Sequence, residues 1–91
     1  MAEKPRVAIY AICEGGDRSS LILAQNVCRQ NAWVQPLEYI DKSKAERYDW
    51  KHLLADIALG DYIQILVTYF ASPELEQYCG QYNCALVPAR V

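Results

Sequence analysis

The stretch "VAIYAICEGGDRSS", residues 7–20, decides the fold. Residues 6–13, "RVAIYAIC", are nearly all apolar, the pattern of a strand covered on both faces. Gly15 and Gly16 then form a loop. Ser19 or Ser20 is placed to cap a helix over 19–32, on which Leu21, Ala24, Val27, Cys28 and Asn31 fall near one face. In an α/β protein, a junction of strand, loop and helix is where ligands bind.

Downstream the alternation continues. Residues 34–40, "VQPLEYI", read as a second strand, and "DKSKAERYD" is polar and loop-like. Trp50, Leu53, Leu54, Ile57 and Ala58 follow i, i+3, i+4, i+7, i+8 spacing, the clearest amphipathic helix in the chain. Gly60 suits the left-handed position that ends such a helix. Residues 62–70, "YIQILVTYF", form a third strand. "SPELEQYCGQYN" offers a Ser cap, Pro at the first helical position and Glu in the first turn, with Gly80 shortening the helix. "CALVPARV", residues 84–91, is the fourth strand.

The pattern β-α-β-α-β-α-β implies a mostly parallel sheet with helices on both faces. Proline cannot donate to a ladder and belongs at edges or strand ends. Pro36 and Pro88 therefore put strands two and four outside, and strands one and three at the centre. The expectation is one α/β domain over residues 1–91: a flavodoxin-like three-layer sandwich with a four-stranded sheet in the order 2-1-3-4. Its switch point lies at the carboxyl ends of strands one and three. The Gly15-Gly16 loop leaves there, with "TYFASP" beside it.

Apolar residues make up 53% and charged residues 22% of the chain, a globular composition. No apolar run reaches the roughly 18 residues of a membrane span. The opening "MAEKPRVAIY" lacks a secretory signal's apolar core, so a cytoplasmic location is expected. The net charge of −2 argues against strong autonomous DNA binding, which draws on a basic excess. Cys13, Cys28, Cys79 and Cys84 contain no CxxC, and His52 is the single histidine. No metal site and no cofactor are expected. Cys79 and Cys84 come near each other in sequence, but a cytoplasmic setting argues against a disulfide.

"RVAIYA", "LEYID" and "ERYDWKHLLADIALGD" followed by "ILV" together resemble the N-terminal catalytic domain of serine site-specific recombinases, the resolvase/invertase family. The likeness covers residues 6–67. No part of the sequence corresponds to that family's long dimerising helix or its DNA-binding domain. The resemblance implies the flavodoxin-like fold. It places Glu14 where the family has its nucleophilic serine, and Ile12 where it has an arginine. It places "FASPEL", with neither Arg nor Asp, where the family reads "LDRLSR". Asp41 falls on the family's strand-two Asp, Arg47 on the Arg before the second helix, and Gln25 near a family Gln. Phosphoryl transfer depends on a nucleophile and on cations that neutralise developing charge, and a carboxylate is repelled by the phosphate it must attack. The resemblance thus implies a degenerate site, with Glu14, Asp41 and Arg47 at the family's site positions and no catalytic residue expected.

Three functions follow as expectations. The first is a catalytically inactive binding or regulatory module of DNA recombination or a mobile element, pairing with a recombinase or with itself. The second is a residual DNA-phosphate-processing enzyme using Ser19 or Ser20, Arg18, Asp41 and Arg47. The third is a small anion- or nucleotide-binding domain with Gly15, Gly16, Arg18 and Arg47 around a phosphate. Glu14 and Asp17 bring opposing charge to that loop, and Arg47 equally suits an ion pair with Asp41 or Glu14. Cys13 reads as a core residue, since no cation activates it, and His52 as a solvated one. Tyr39, Tyr48, Trp50, Tyr62, Tyr69, Tyr78 and Tyr82 are too many for one small core. They read as covers for helix–sheet edges or as a partner surface.

Overall fold

Alternation along one central strand sets up two cores. Strand β1 (Val7–Ile12) is buried over its whole length, so its odd and even residues need apolar partners on opposite sides. Val7, Ile9 and Ala11 meet Leu21, Ala24 and Cys28 of helix α1 (Ser19–Gln30). Ala8, Tyr10 and Ile12 meet Leu53 and Ile57 of α2 (Tyr48–Ile57), and Leu75 and Cys79 of α3 (Pro73–Gln81). Leu53 and Ile57 lie on the stripe the spacing predicts, and burying each contributes about 1.5–3 kcal/mol. The computed structural model describes residues 5–60 and 62–89.

The remaining strands are β2 (Leu37–Asp41), β3 (Ile65–Thr68) and β4 (Ala85–Pro88). All pairings are parallel and the order is β2-β1-β3-β4. The protein is a flavodoxin-like α/β sandwich, with α1 on one face and α2 and α3 on the other. The strands are shorter than the sequence suggests, because residues 34–36, 62 and 63 approach the sheet without pairing in it, Gln64 makes only flanking backbone bonds to Arg6 and Ala85, and residues 69 and 70 turn away. Residues 90 and 91, expected in the fourth strand, lie outside the described residues.

Both sheet edges are blunted. Asp41 accepts from Cys13 N at 2.8 Å, so its backbone faces β1, and that of Ile40 faces outward. The Ile40 N–H is taken by the Asp49 carboxylate at 2.9 Å, and Pro36, just before the strand, has no N–H to offer. On the other side Ala85 donates to Gln64 O just before β3 and Ala89 to Thr68 O at its end, which turns Leu86 and Pro88 outward. Each edge thus lacks a donor that an added strand would need.

The helix ends follow local chemistry. Ser72 caps α3 by accepting from Leu75 N at 3.2 Å, with Pro73 next. At α1 the expected serine cap is absent. Arg18 holds the cap position without a side-chain bond, and Asp17 instead accepts from the Ser19 N–H at 2.9 Å. Helices α1 and α3 end alike. Trp33 N donates to Cys28 O and Ala32 N to Arg29 O; Cys84 N donates to Cys79 O and Asn83 N to Gly80 O. These are two Schellman turns, with Ala32 (φ 57°) and Asn83 (φ 59°) in the left-handed position. Gly60 (φ 69°) reverses the chain after α2, two residues beyond its capping residue Ala58, one position later than the sequence suggests.

Candidate functional site

The carboxyl ends of β1 and β3 open into a cleft of about 610 Å³. The chain leaves β1 through a single 3₁₀ turn, Glu14–Gly16, in which Gly15 and Gly16 take φ of 63° and 83°. This left-handed geometry is why two glycines stand here. Ile12, Leu23 of α1 and Phe70 form the apolar part of the cleft. Glu14, Asp17, Ser19, Ser20, Lys44 and Tyr69 supply its polar groups. Two carboxylates thus face one ammonium. Tyr69, 47% exposed, stands edge-on to Phe70 at 5.3 Å between ring centres.

The hydroxyls of this junction are already engaged. Ser20 is buried, its Oγ donating to Ile12 O at 3.2 Å and accepting from Ile12 N at 3.3 Å. Ser19 donates its hydroxyl to Asp17. The two bonds from Ser19 hold the Asp17 carboxyl below its ordinary range. Glu14 is exposed and accepts from Lys44 N at 3.2 Å, which ties the first loop to the loop before α2.

Asp41 is a buried hub at the end of β2. Its carboxylate accepts from Tyr10 OH at 2.6 Å, from Asp49 N at 2.8 Å and from Trp50 N at 3.2 Å. The two amides belong to the first turn of α2, so Asp41 caps that helix from the end of the neighbouring strand. Asp49 returns the bond to Ile40 N. The Tyr10 phenol is pushed up to about 12, first by burial and then by its bond to Asp41. The expected ion pair of Arg47 with Asp41 or Glu14 is replaced by stacking. Its guanidinium lies 4.3 Å from the centre of the Trp50 ring and 5.8 Å from that of Tyr10, with Nε 3.5 Å from Tyr10 OH.

The site positions taken from the sequence therefore divide. Glu14 lines the cleft. Asp41 and Arg47 sit together at the start of α2, around Tyr10. Gly15, Gly16, Arg18 and Arg47 are not brought to one point: none of them lines the cleft, and Arg18 is exposed. Lys44 and Tyr10 escaped the sequence reading. Tyr10 carried a signal, since a tyrosine inside an all-apolar strand needs a partner for its hydroxyl. Lys44 lay in a polar run with no periodicity to single it out.

The other residues weighed in the sequence fall mostly into structural places. Cys13 is half-buried just past β1, and His52 is exposed. Tyr39, Trp50, Tyr62, Tyr78 and Tyr82 are half-buried against the α2–α3 core, leaving Tyr48 and Tyr69 exposed. Among the described residues no group of three or more His, Cys, Asp and Glu is placed to hold a metal ion. No helix among them is long and apolar enough to cross a membrane. No protein-family model matches the chain, and neither a curated protein nor a solved structure does.

Proposed function

We propose that this chain is a non-catalytic, serine-recombinase-like domain that acts by binding, as a module of DNA recombination that associates with a catalytically competent recombinase. The observation that carries the reading is the state of the junction at residues 12–20. The recess expected at the switch point is open, Glu14 lines it where the resemblance would put a nucleophilic serine, and Ser19 and Ser20 are both hydrogen-bonded within the fold. A nucleophile needs a base within reach and donors for the developing charge. Among the described residues Lys44 is the one cation lining the cleft, against two carboxylates. Cytoplasmic residence goes with this reading, because its partner and its DNA are there.

The charge balance also weighs against the anion-binding alternative, since Glu14 and Asp17 oppose a phosphate at the loop. Two assays test the proposal. A nicked suicide DNA duplex is offered to the protein, and covalent adducts are sought on denaturing gels. The ¹⁵N-labelled protein is titrated with inorganic phosphate, with a short duplex, and with the purified catalytic domain of a serine recombinase. Saturable shifts with the recombinase domain alone, and no adduct, are expected. An adduct lost on Arg47→Ala would establish the enzyme reading instead. Saturable phosphate shifts at Glu14–Arg18, without a response to the recombinase domain, would establish the anion-binding one.

A further inference from the structure

The Schellman turn that ends α3 places two thiols side by side. In this motif the residue one turn before the helix end and the second residue beyond it are joined by a backbone bond, and their side chains meet. The equivalent pair at the end of α1 is Cys28 and Trp33, an apolar contact. At the end of α3 it is Cys79 and Cys84, joined by Cys84 N to Cys79 O at 2.9 Å. Both cysteines are free and buried in the α2–α3 core, Cys79 fully and Cys84 with 5% of its surface exposed. Their side chains lie in the same buried cluster. Cys84 points its S–H at Ala85 O, 3.8 Å away.

We infer that Cys79 and Cys84 are a thiol–disulfide exchange site, which closes to an intramolecular disulfide by reaction with a small disulfide such as oxidised glutathione. Cys84 attacks first, because it has the exposure. Its thiol is held below the ordinary range by the neighbouring Cys79 thiol, which is itself pushed up by Cys84 and by burial. The Cys84 thiolate attacks one glutathione sulfur, forming a mixed disulfide and expelling one glutathione thiolate. Cys79 then gives up its proton, and its thiolate attacks the Cys84 sulfur, breaking the mixed disulfide and expelling the second glutathione. Two protein thiols are oxidised, one glutathione disulfide takes up the two electrons, and the two protons end on the two glutathiones.

The turn permits this. Gly80 is the poorest helix former in α3 after its first residue, and Asn83 already holds the left-handed position that redirects the chain. Opening needs only the last turn to loosen. The site lies at the amino end of β4, at the pole of the sheet opposite the cleft, so it acts independently of the proposed binding function.

The test uses the reduced full chain in anaerobic glutathione buffers, from fully reducing to fully oxidising. Remaining thiols are alkylated and the peptides mapped by mass. Exposure alone favours Cys13, the one cysteine of the four that is not buried. The inference expects a Cys79–Cys84 bridge, with the loss of two hydrogens, before Cys13 or Cys28 is modified. In Cys79→Ser the mixed disulfide should remain trapped on Cys84, and in Cys84→Ser the residue Cys79 should stay free. The inference is overturned if wild-type Cys79 and Cys84 remain reduced in the native protein at the oxidising extreme. It is equally overturned if Cys13 takes glutathione first and the bridge forms only in denaturant. Mapping the wild type decides this even if a variant fails to fold.

Discussion

Replacing Asp41 by alanine tests the central structural claim, that this carboxylate holds the start of α2 and a buried tyrosine in place. Two losses add. The first turn of α2 loses the acceptor of its Asp49 and Trp50 amides, worth about 1 kcal/mol for a helix cap. Tyr10 loses a charged partner at 2.6 Å, and its hydroxyl is left in a fully buried ring, at a cost of about 1.5–3 kcal/mol. Together they predict about 3 kcal/mol. A chain of 91 residues has a total stability of roughly 5–14 kcal/mol, so this is a large share. At a urea m-value of about 1–1.5 kcal/mol/M the midpoint should fall by roughly 2–3 M, with m unchanged. Asp41→Asn keeps one acceptor oxygen and should lose about half as much. A cycle with Tyr10→Phe should return a coupling of about 1–2 kcal/mol between the two side chains. The measurement is urea unfolding followed by far-ultraviolet circular dichroism. A loss under about 0.5 kcal/mol, the usual range of an inconsequential surface change, would refute the reasoning. A gain in stability for Asp41→Asn would refute it more sharply, since a carboxylate kept for chemistry at the fold's expense behaves that way.

Three further outcomes follow from the same contacts. Tyr10 ordinarily titrates near 10 and is raised to about 12, so the folded protein keeps a proton that the unfolded chain releases. Its contribution is whole below pH 10 and is lost as pH rises to 12; that gap amounts to about 3 kcal/mol. Urea midpoints across this window should fall less steeply for Tyr10→Phe than for the wild type. Ala32→Gly relieves a left-handed alanine at φ 57° and should raise stability by about 0.5–1 kcal/mol in thermal melts. Ser72→Ala removes the cap of α3 and should cost about 1 kcal/mol by the same measurement.

The sheet order was legible because strong local signals agreed with one another. Apolar runs with helical segments between them required parallel pairing, and Pro36 and Pro88 fixed the edges. Strand ends were less legible. Val34 and Tyr62 have strand-forming side chains, yet their backbones find no ladder partner. The start of α1 was misread for a related reason. Two serines suit a cap equally well, but Ser20 is drawn into the core by Ile12, and Asp17 is left to bind the first helical amide. The cleft was located by topology, while its lining was only partly visible. Lys44 reaches it through a loop whose path depends on where β2 stops. The engagement of Asp41 was hidden because the sequence does not say that the first turn of α2 ends up over the last residue of β2.

That engagement bears on how the surviving matches to the recombinase pattern should be weighed. Asp41 and Arg47 coincide with residue types of the pattern that the sequence resembles, which taken alone would favour a working centre. In this structure each has a local reason to be what it is. An aspartate is the shortest side chain that accepts from two helix amides and a phenol at once, and an arginine covers the Trp50 ring while its Nε reaches the Tyr10 hydroxyl. Glu14 has no comparable tie beyond one bond from the Lys44 amide, and it is there that the pattern breaks. The residues that brace α2 against the sheet are those that coincide with the resembled pattern, and Glu14, which braces nothing comparable, is where the chain departs from it. Coincidences at bracing positions therefore add little to the resemblance as an argument for an enzyme, and the proposed non-catalytic reading rests on Glu14 and its surroundings rather than on Asp41 and Arg47.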